Sequence, residues 1–381
     1  MTLLSDPELL ARLVAVDSTS HLSNLPLARA LADYVARPGV RIDLLPSPDG
    51  TKANLVVRAG PEEVDGGLTL CGHMDTVPAE EPGWRSDPFT LTREGDRWVA
   101  RGAADMKAFL ALSANRLAAL DPARLRRPLA LLFTYDEEVG TIGARRFAET
   151  SERPSIPRDV IIGEPTQLGA VRLHKGMLRL QLTFHGVAAH SAYPHLGRNA
   201  IEPAGRAIVA LSDLRAELEA ERPPHGEHFP KVPFVALNVG TVAGGRAANI
   251  IPDRCMVQLG IRLLPGTGAE EVTERVHRTV RRALPDEAFD LDHISLSPAL
   301  MLAEDADVHR ELCEELGQQG SRSVNFATDA GWLQKAGFRC VLFGPGNIED
   351  AHRANEYVPA ADLIHAGEVL ERLIARRCLA A

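Results

Sequence analysis

Two kinds of hydrophobic pattern alternate along the chain. Apolar positions recur at helical spacing over residues 6–16 and 25–35, and an Ala- and Leu-rich stretch covers 105–120. Between and after them lie short apolar runs at 54–58, 68–71, 129–134, 160–162 and 340–343, the length and character of buried strands. A closing helix is predicted over 361–376. Strands alternating with helices predict an α/β catalytic domain, a mostly parallel sheet with helices on both faces.

The middle of the chain follows another pattern. Residues 178–184 alternate apolar and polar, as a half-exposed strand does. A helix over 199–220, strands near 234–241 and 255–263, a helix over 269–284 and a strand over 289–296 follow. The order β-α-β-β-α-β is ferredoxin-like. It predicts an inserted lid or dimerisation domain at 177–296, interrupting a catalytic domain built from 1–176 and 297–381. Residues 221–233, rich in Pro and His, read as a surface loop.

At 381 residues the chain is long enough for two domains, and its 45% hydrophobic and 24% charged residues allow a real core. The net charge of -9, with no basic cluster, argues against nucleic acid as a partner. No apolar stretch reaches the ~18 residues of a membrane span, so no membrane partner is expected. The N-terminus lacks the pattern of a signal peptide. Five cysteines without a C-x-x-C pair fit a reducing cytoplasm. Cys71 ends a predicted buried strand and reads as core filler.

Four of the apolar runs end in groups that bind metals. Residues 68–71 lead into Gly72-His73-Met74-Asp75, and 129–134 into Asp136-Glu137-Glu138. Residues 160–162 lead into Gly163-Glu164, and 340–343 into Gly344-Pro345-Gly346 and then His352. Ligands of open α/β sheets gather beyond the carboxyl ends of the strands. Asp105, at the start of its predicted helix, joins the set. Each residue alone has a plainer use: Asp105 as a helix cap, the Glu pair as solvated charge, Glu164 as part of a turn. Together they form a mixed imidazole and carboxylate set that zinc, cobalt or manganese would accept. So many acidic groups in one place call for two divalent cations sharing a carboxylate.

These segments resemble the acetylornithine deacetylase branch of the zinc aminoacylase and carboxypeptidase superfamily, relatives of succinyl-diaminopimelate desuccinylase. The resemblance rests on Gly72-His73-Met74-Asp75-Thr76-Val77-Pro78, Arg101-Gly102-Ala103-Ala104-Asp105-Met106-Lys107, Asp136-Glu137-Glu138 and Gly163-Glu164-Pro165-Thr166. His174-Lys175-Gly176, Arg262-Leu263-Leu264-Pro265-Gly266 and Gly344-Pro345-Gly346-Asn347 add to it. It implies that His73, Asp105 and Glu164 hold one Zn2+, and Asp105, Glu138 and His352 a second, with Co2+ able to substitute. It implies that Asp75 accepts a hydrogen bond from His73, and that Glu137, not Glu138, is the general base. It also implies that His190, in Gly186-Val187-Ala188-Ala189-His190-Ser191, stabilises the oxyanion in the site of a partner subunit, hence a homodimer. Asn249 and Thr328 resemble substrate-binding positions of the family, the planar fork of Arg262 suits a substrate α-carboxylate, and Asp329 is a candidate partner for a substrate ammonium. The implied activity is hydrolysis of an N-acyl amino acid, N2-acetyl-L-ornithine foremost. Ala108, where relatives often carry Gly, and Val139-Gly140-Thr141-Ile142-Gly143 depart from the branch. Succinyl-diaminopimelate, acetylcitrulline, a formylated amine or a dipeptide are the alternative substrates. A non-catalytic binding paralogue is the alternative class, and the intact ligand set and Glu137 speak against it.

Overall fold

The computed structural model describes residues 3–62, 65–320 and 322–379. The chain forms two compact units, one of Met1–Arg172, Leu302–Arg322 and Thr328–Ala381, the other of Leu173–Met301 and Ser323–Ala327.

The first unit is built on a sheet with a parallel centre. Its four central strands lie side by side in the order Leu129–Thr134, Leu68–His73, Asp159–Ile162, Arg339–Leu342, every pair parallel. These are the four strands whose ends carry the candidate ligands. Leu68–His73 and Leu129–Thr134 are buried at every position, because helices cover both faces and no polar alternation is needed. Ala53–Ala59 pairs antiparallel with Leu129–Thr134, and Val40–Pro46 forms an antiparallel edge beyond it. That edge strand was not anticipated. Arg41 and Asp43 on its open side break the apolar run that signals a buried strand.

The helix Ala108–Ala119 is buried on nearly all sides, against Asp6–Val14, Leu25–Val35 and Ala360–Ile374. Ser5 and Glu8 close a reciprocal cap at the first of these helices, with Pro7 in its first turn. The helix predicted from residue 105 begins at Ala108 instead. Asp105 has an extended backbone, φ -123° and ψ 91°, in a wide turn over Ala103–Lys107, so it is no helix cap. A small antiparallel sheet of Thr92–Glu94, Arg97–Val99 and Tyr357–Pro359 also escaped prediction. Three-residue strands are too short to carry a period.

The second unit has a four-stranded antiparallel sheet in the order Ala236–Gly244, Arg254–Leu263, Gly176–His185, Phe289–Ser297. With the helices Ile201–Ala220 and Ala269–Ala283 this is the ferredoxin-like arrangement. Leu178, Leu180, Leu182 and Phe184 alternate onto one buried face, packed with Leu211, Leu214, Val276 and Val280 of the helices. Among the described residues no helix is long and apolar enough to cross a membrane.

Candidate metal centre

The carboxyl ends of the four parallel strands deliver their side chains to one place in the first unit. His73 is the last residue of its strand and buried. Its Nε2 lies 2.9 Å from Asp105 Oδ1. The other Asp105 oxygen, Oδ2, lies 3.1 Å from His352 Nε2, which is also 2.9 Å from Glu138 Oε1. Asp105 therefore stands between two imidazoles, one to each oxygen. Donor atoms of His73, Asp105 and Glu164 all lie within 4.8 Å of one another, as do those of Asp105, Glu138 and His352. Donor atoms of His225, Glu227 and His228 also lie within 4.8 Å of one another, but these residues are near neighbours in one short turn of the second unit.

Glu164 is placed by close packing. Gly163 N–H donates to Cys71 O at 3.0 Å, and a Cβ at Gly163 would come within 1.9 Å of the Phe109 ring. Only glycine lets the chain pass there. Gly344 serves the same end, since a Cβ on it would meet the Glu164 carbonyl oxygen at 2.6 Å. Gly163→Ala is expected to cost about 1–3 kcal/mol or more through overpacking and to weaken cation binding together with it. Thermal unfolding and a zinc titration check this. Unchanged values in both would show that the strand end tolerates the extra methyl.

The Glu pair is placed by Asp75. Its carboxylate accepts the main-chain N–H of Glu137 at 3.0 Å and of Glu138 at 3.2 Å, and the Ser20 hydroxyl at 2.8 Å. This corrects the expected contact with His73. His73 Nδ1 meets the Asp75 main-chain carbonyl at 2.9 Å, while the Asp75 carboxylate stands off at 3.7 Å, occupied by the turn. The carbonyl still fixes the tautomer, leaving Nε2 toward Asp105. Asp136 turns away to an ion pair with Lys52.

The electrostatics are those of a crowded anionic pocket. Burial, reinforced by neighbouring carboxylates, holds Glu137 and Glu164 well above the ordinary carboxylate range. Burial and the Asp105 charge push Glu138 up to about 7 against the pull of His352. Burial would lower His73, but its bond to Asp105 and the surrounding carboxylates hold it well above its usual value. Bonds to Asp105 and Glu138 raise His352 to about 10. Despite its burial, Asp105 is held low by the same two imidazoles. Protons thus neutralise a set whose lone pairs otherwise converge. Two mixed nitrogen and oxygen groups sharing one carboxylate fit a pair of divalent cations.

The other candidate residues are placed differently. His190 and Asn249 meet in the second unit, where Ser191 N–H donates to Asn249 O at 3.0 Å and His190 bridges Ile250. Both are exposed. Arg262 lies within the strand Arg254–Leu263 and is half-buried. Thr328 is fully buried and its hydroxyl accepts the Ala330 N–H at 3.1 Å, so it offers no surface to a substrate here. Asp329 is only 2% exposed and takes the Thr134 hydroxyl at 2.5 Å. Burial pushes its pKa up to about 6. A carboxyl so enclosed is no partner for a substrate ammonium. Cys71 is fully buried and, like the other four cysteines, unbridged.

Two charged residues went unrecognised. Neither Arg101, within the Arg101–Lys107 segment, nor Glu356 stands beyond a buried strand, so the sequence pattern assigns them no role. They form an ion pair at 2.7 Å, each 1% exposed, behind Asp105.

Residues 69–376 match the Peptidase family M20/M25/M40. A Myxococcus xanthus protein named acetylornithine deacetylase is 36% identical over 381 residues, covering 97% of this chain and 96% of its own. A Sulfolobus solfataricus structure, an M20 family metallo-carboxypeptidase, superposes with a TM-score of 0.80 at 19% identity, covering 97% of this chain and 98% of that one. A Bacillus subtilis structure described as a dinuclear metal binding peptidase from the M20 family gives a TM-score of 0.63 at 16% identity, with 97% and 98% coverage. The match over most of the chain and the end-to-end identity to curated relatives make this chain a member of Peptidase family M20/M25/M40.

Proposed function

We propose that this chain is a metal-dependent amidohydrolase that deacylates an N-acyl amino acid, converting N2-acetyl-L-ornithine and water to L-ornithine and acetate in arginine biosynthesis. The observation that carries the reading is Asp105 set between His73 and His352, with Glu164 and Glu138 completing two donor groups. The names of the curated relatives support the choice of substrate.

His73, Asp105 and Glu164 would hold one Zn2+, and Asp105, Glu138 and His352 the other, with Co2+ able to replace either. When bound, such a pair polarises the acyl oxygen and makes water acidic enough to ionise near neutrality. Glu137 takes the proton from the attacking water. As the amide C–N bond breaks, Glu137 returns that proton to the leaving nitrogen, so the amine departs neutral and the acyl group leaves as a carboxylic acid. Asp75 holds Glu137 in register through its main-chain N–H. His190, from the partner subunit of a homodimer, donates toward the developing oxyanion. Arg262 offers a planar fork for the substrate carboxylate, and Asn249 a further polar contact.

The dimer is supported by an open sheet edge. Among the described residues Ala236–Gly244 has a neighbour on one side only, and Val187, Tyr193, Leu196, Val242 and Ile250 are exposed in the same unit. We place the protein in the cytoplasm, where five unbridged cysteines stay reduced.

Steady-state assay of the zinc- or cobalt-loaded protein tests the reading. Acetylornithine is expected to give the highest kcat/KM in a panel with acetylcitrulline, acetylmethionine, succinyl-diaminopimelate and dipeptides. A preference for another member reassigns the substrate. Turnover of none, with two cations bound, favours a binding role.

A further inference from the structure

The bridging position of Asp105 depends on its main chain, and that main chain is held from the far end of the sequence. Glu356 Oε1 accepts the N–H groups of both Ala104 and Asp105, at 3.0 and 3.1 Å. Its other oxygen accepts from Arg101 Nη1 at 2.7 Å. Arg101 is fixed in turn: Nε and Nη2 donate to Pro78 O at 3.2 and 3.0 Å, Nη2 also pairs with Glu81, and the guanidinium lies 5.2 Å from the Trp84 ring centroid. Glu356 arrives there because the strand Tyr357–Pro359 pairs with Arg97–Val99, and Ala100 N–H donates to Glu356 O at 3.0 Å.

An ion pair this deeply buried is a poor way to gain stability, since desolvation offsets most of its attraction. Its geometry suits another purpose. One carboxylate oxygen gathers two consecutive N–H groups beside Asp105, and the guanidinium prevents that carboxylate from rotating. In the turn over Ala103–Lys107, closed by Lys107 N–H donating to Gly102 O at 2.8 Å, Asp105 and Met106 depart from helical backbone angles, so helix geometry does not set the position of Asp105. We propose that Glu356, oriented by Arg101, is a positioning residue that sets the Asp105 main chain and thereby the affinity of the centre for its pair of cations. This rests on the metal-centre reading above.

The test measures zinc affinity of the full chain by competition with a chromophoric chelator, with melting temperature recorded in excess chelator. Glu356→Gln keeps the length but has one acceptor oxygen and one amide group, so it cannot serve both the two N–H groups and Arg101. Glu356→Asp keeps the charge toward Arg101 but draws the carboxylate back by one methylene, and it decides the matter if the Gln variant fails to fold. Zinc affinity is expected to fall about 10–100-fold in either folded variant, beyond any change in the chelated protein's melting temperature. A purely structural ion pair would lower that melting temperature and leave the affinity of the folded protein unchanged. Wild-type affinity in the folded variants overturns the proposal and leaves the metal centre standing. Failure of the wild-type chain to take up two equivalents overturns the metal-centre reading, and the positioning role falls with it.

Discussion

Glu137→Gln is expected to keep both cations and lose about 10²–10⁴-fold in kcat, the usual contribution of a positioned general base. Neither donor group contains Glu137, so its loss removes no ligand. The amide is close to the carboxyl in size, and the main-chain N–H that Asp75 accepts is untouched. What disappears is the ability to carry a proton from water to the leaving nitrogen. Measuring kcat beside bound zinc separates the two effects. Near-normal turnover with two equivalents bound would assign the base elsewhere. Loss of metal together with activity would make Glu137 a ligand.

Stripping the cations is expected to lower the melting temperature, by an amount that grows with pH. In the metal-free fold Glu137, Glu138 and Glu164 are raised above the ordinary 4.5, Glu138 to about 7. Above 4.5 the unfolded chain releases protons that the fold retains, so stability falls as pH rises through the raised values. The imidazoles act in the same direction. Their contribution is complete below 6.5 and is lost as pH rises, for His352 through about 10. Cations reverse this dependence, because they bind the deprotonated ligands. One site at a hundredfold excess over Kd contributes about 2.7 kcal/mol, a shift on the order of 3–5 °C. Melting with zinc and with excess chelator from about pH 6 to about pH 8.5 reads the widening gap. A gap that stays constant or narrows would mean the buried carboxyls are not the ligands.

The two predictions draw on different levels of information. Residues 68–71, 129–134, 160–162 and 340–343 announced themselves as strands because a strand buried on both faces is a continuous apolar run. The residues just beyond them were legible as a site because the ends of parallel strands share one edge. His73, Asp105, Glu138, Glu164 and His352 meet there. The edge strand Val40–Pro46 was not legible because Arg41 and Asp43 interrupt its apolar run, and the three-residue strands carry too few positions for a period.

By itself the amino-acid sequence determined which chemical groups stand beside the buried strands, and so the chemistry available to the fold. Periodicity and apolar runs are local properties, written within a few turns or a single strand. Only the tertiary structure decided how those groups divide their partners. It gave the Asp75 carboxylate to the Glu turn, enclosed Asp329 against Thr134, and brought Glu356 to Arg101 across 255 residues of chain. A hydrogen bond between positions so far apart leaves no spacing in the sequence, because its geometry is set by the packing of the intervening strands.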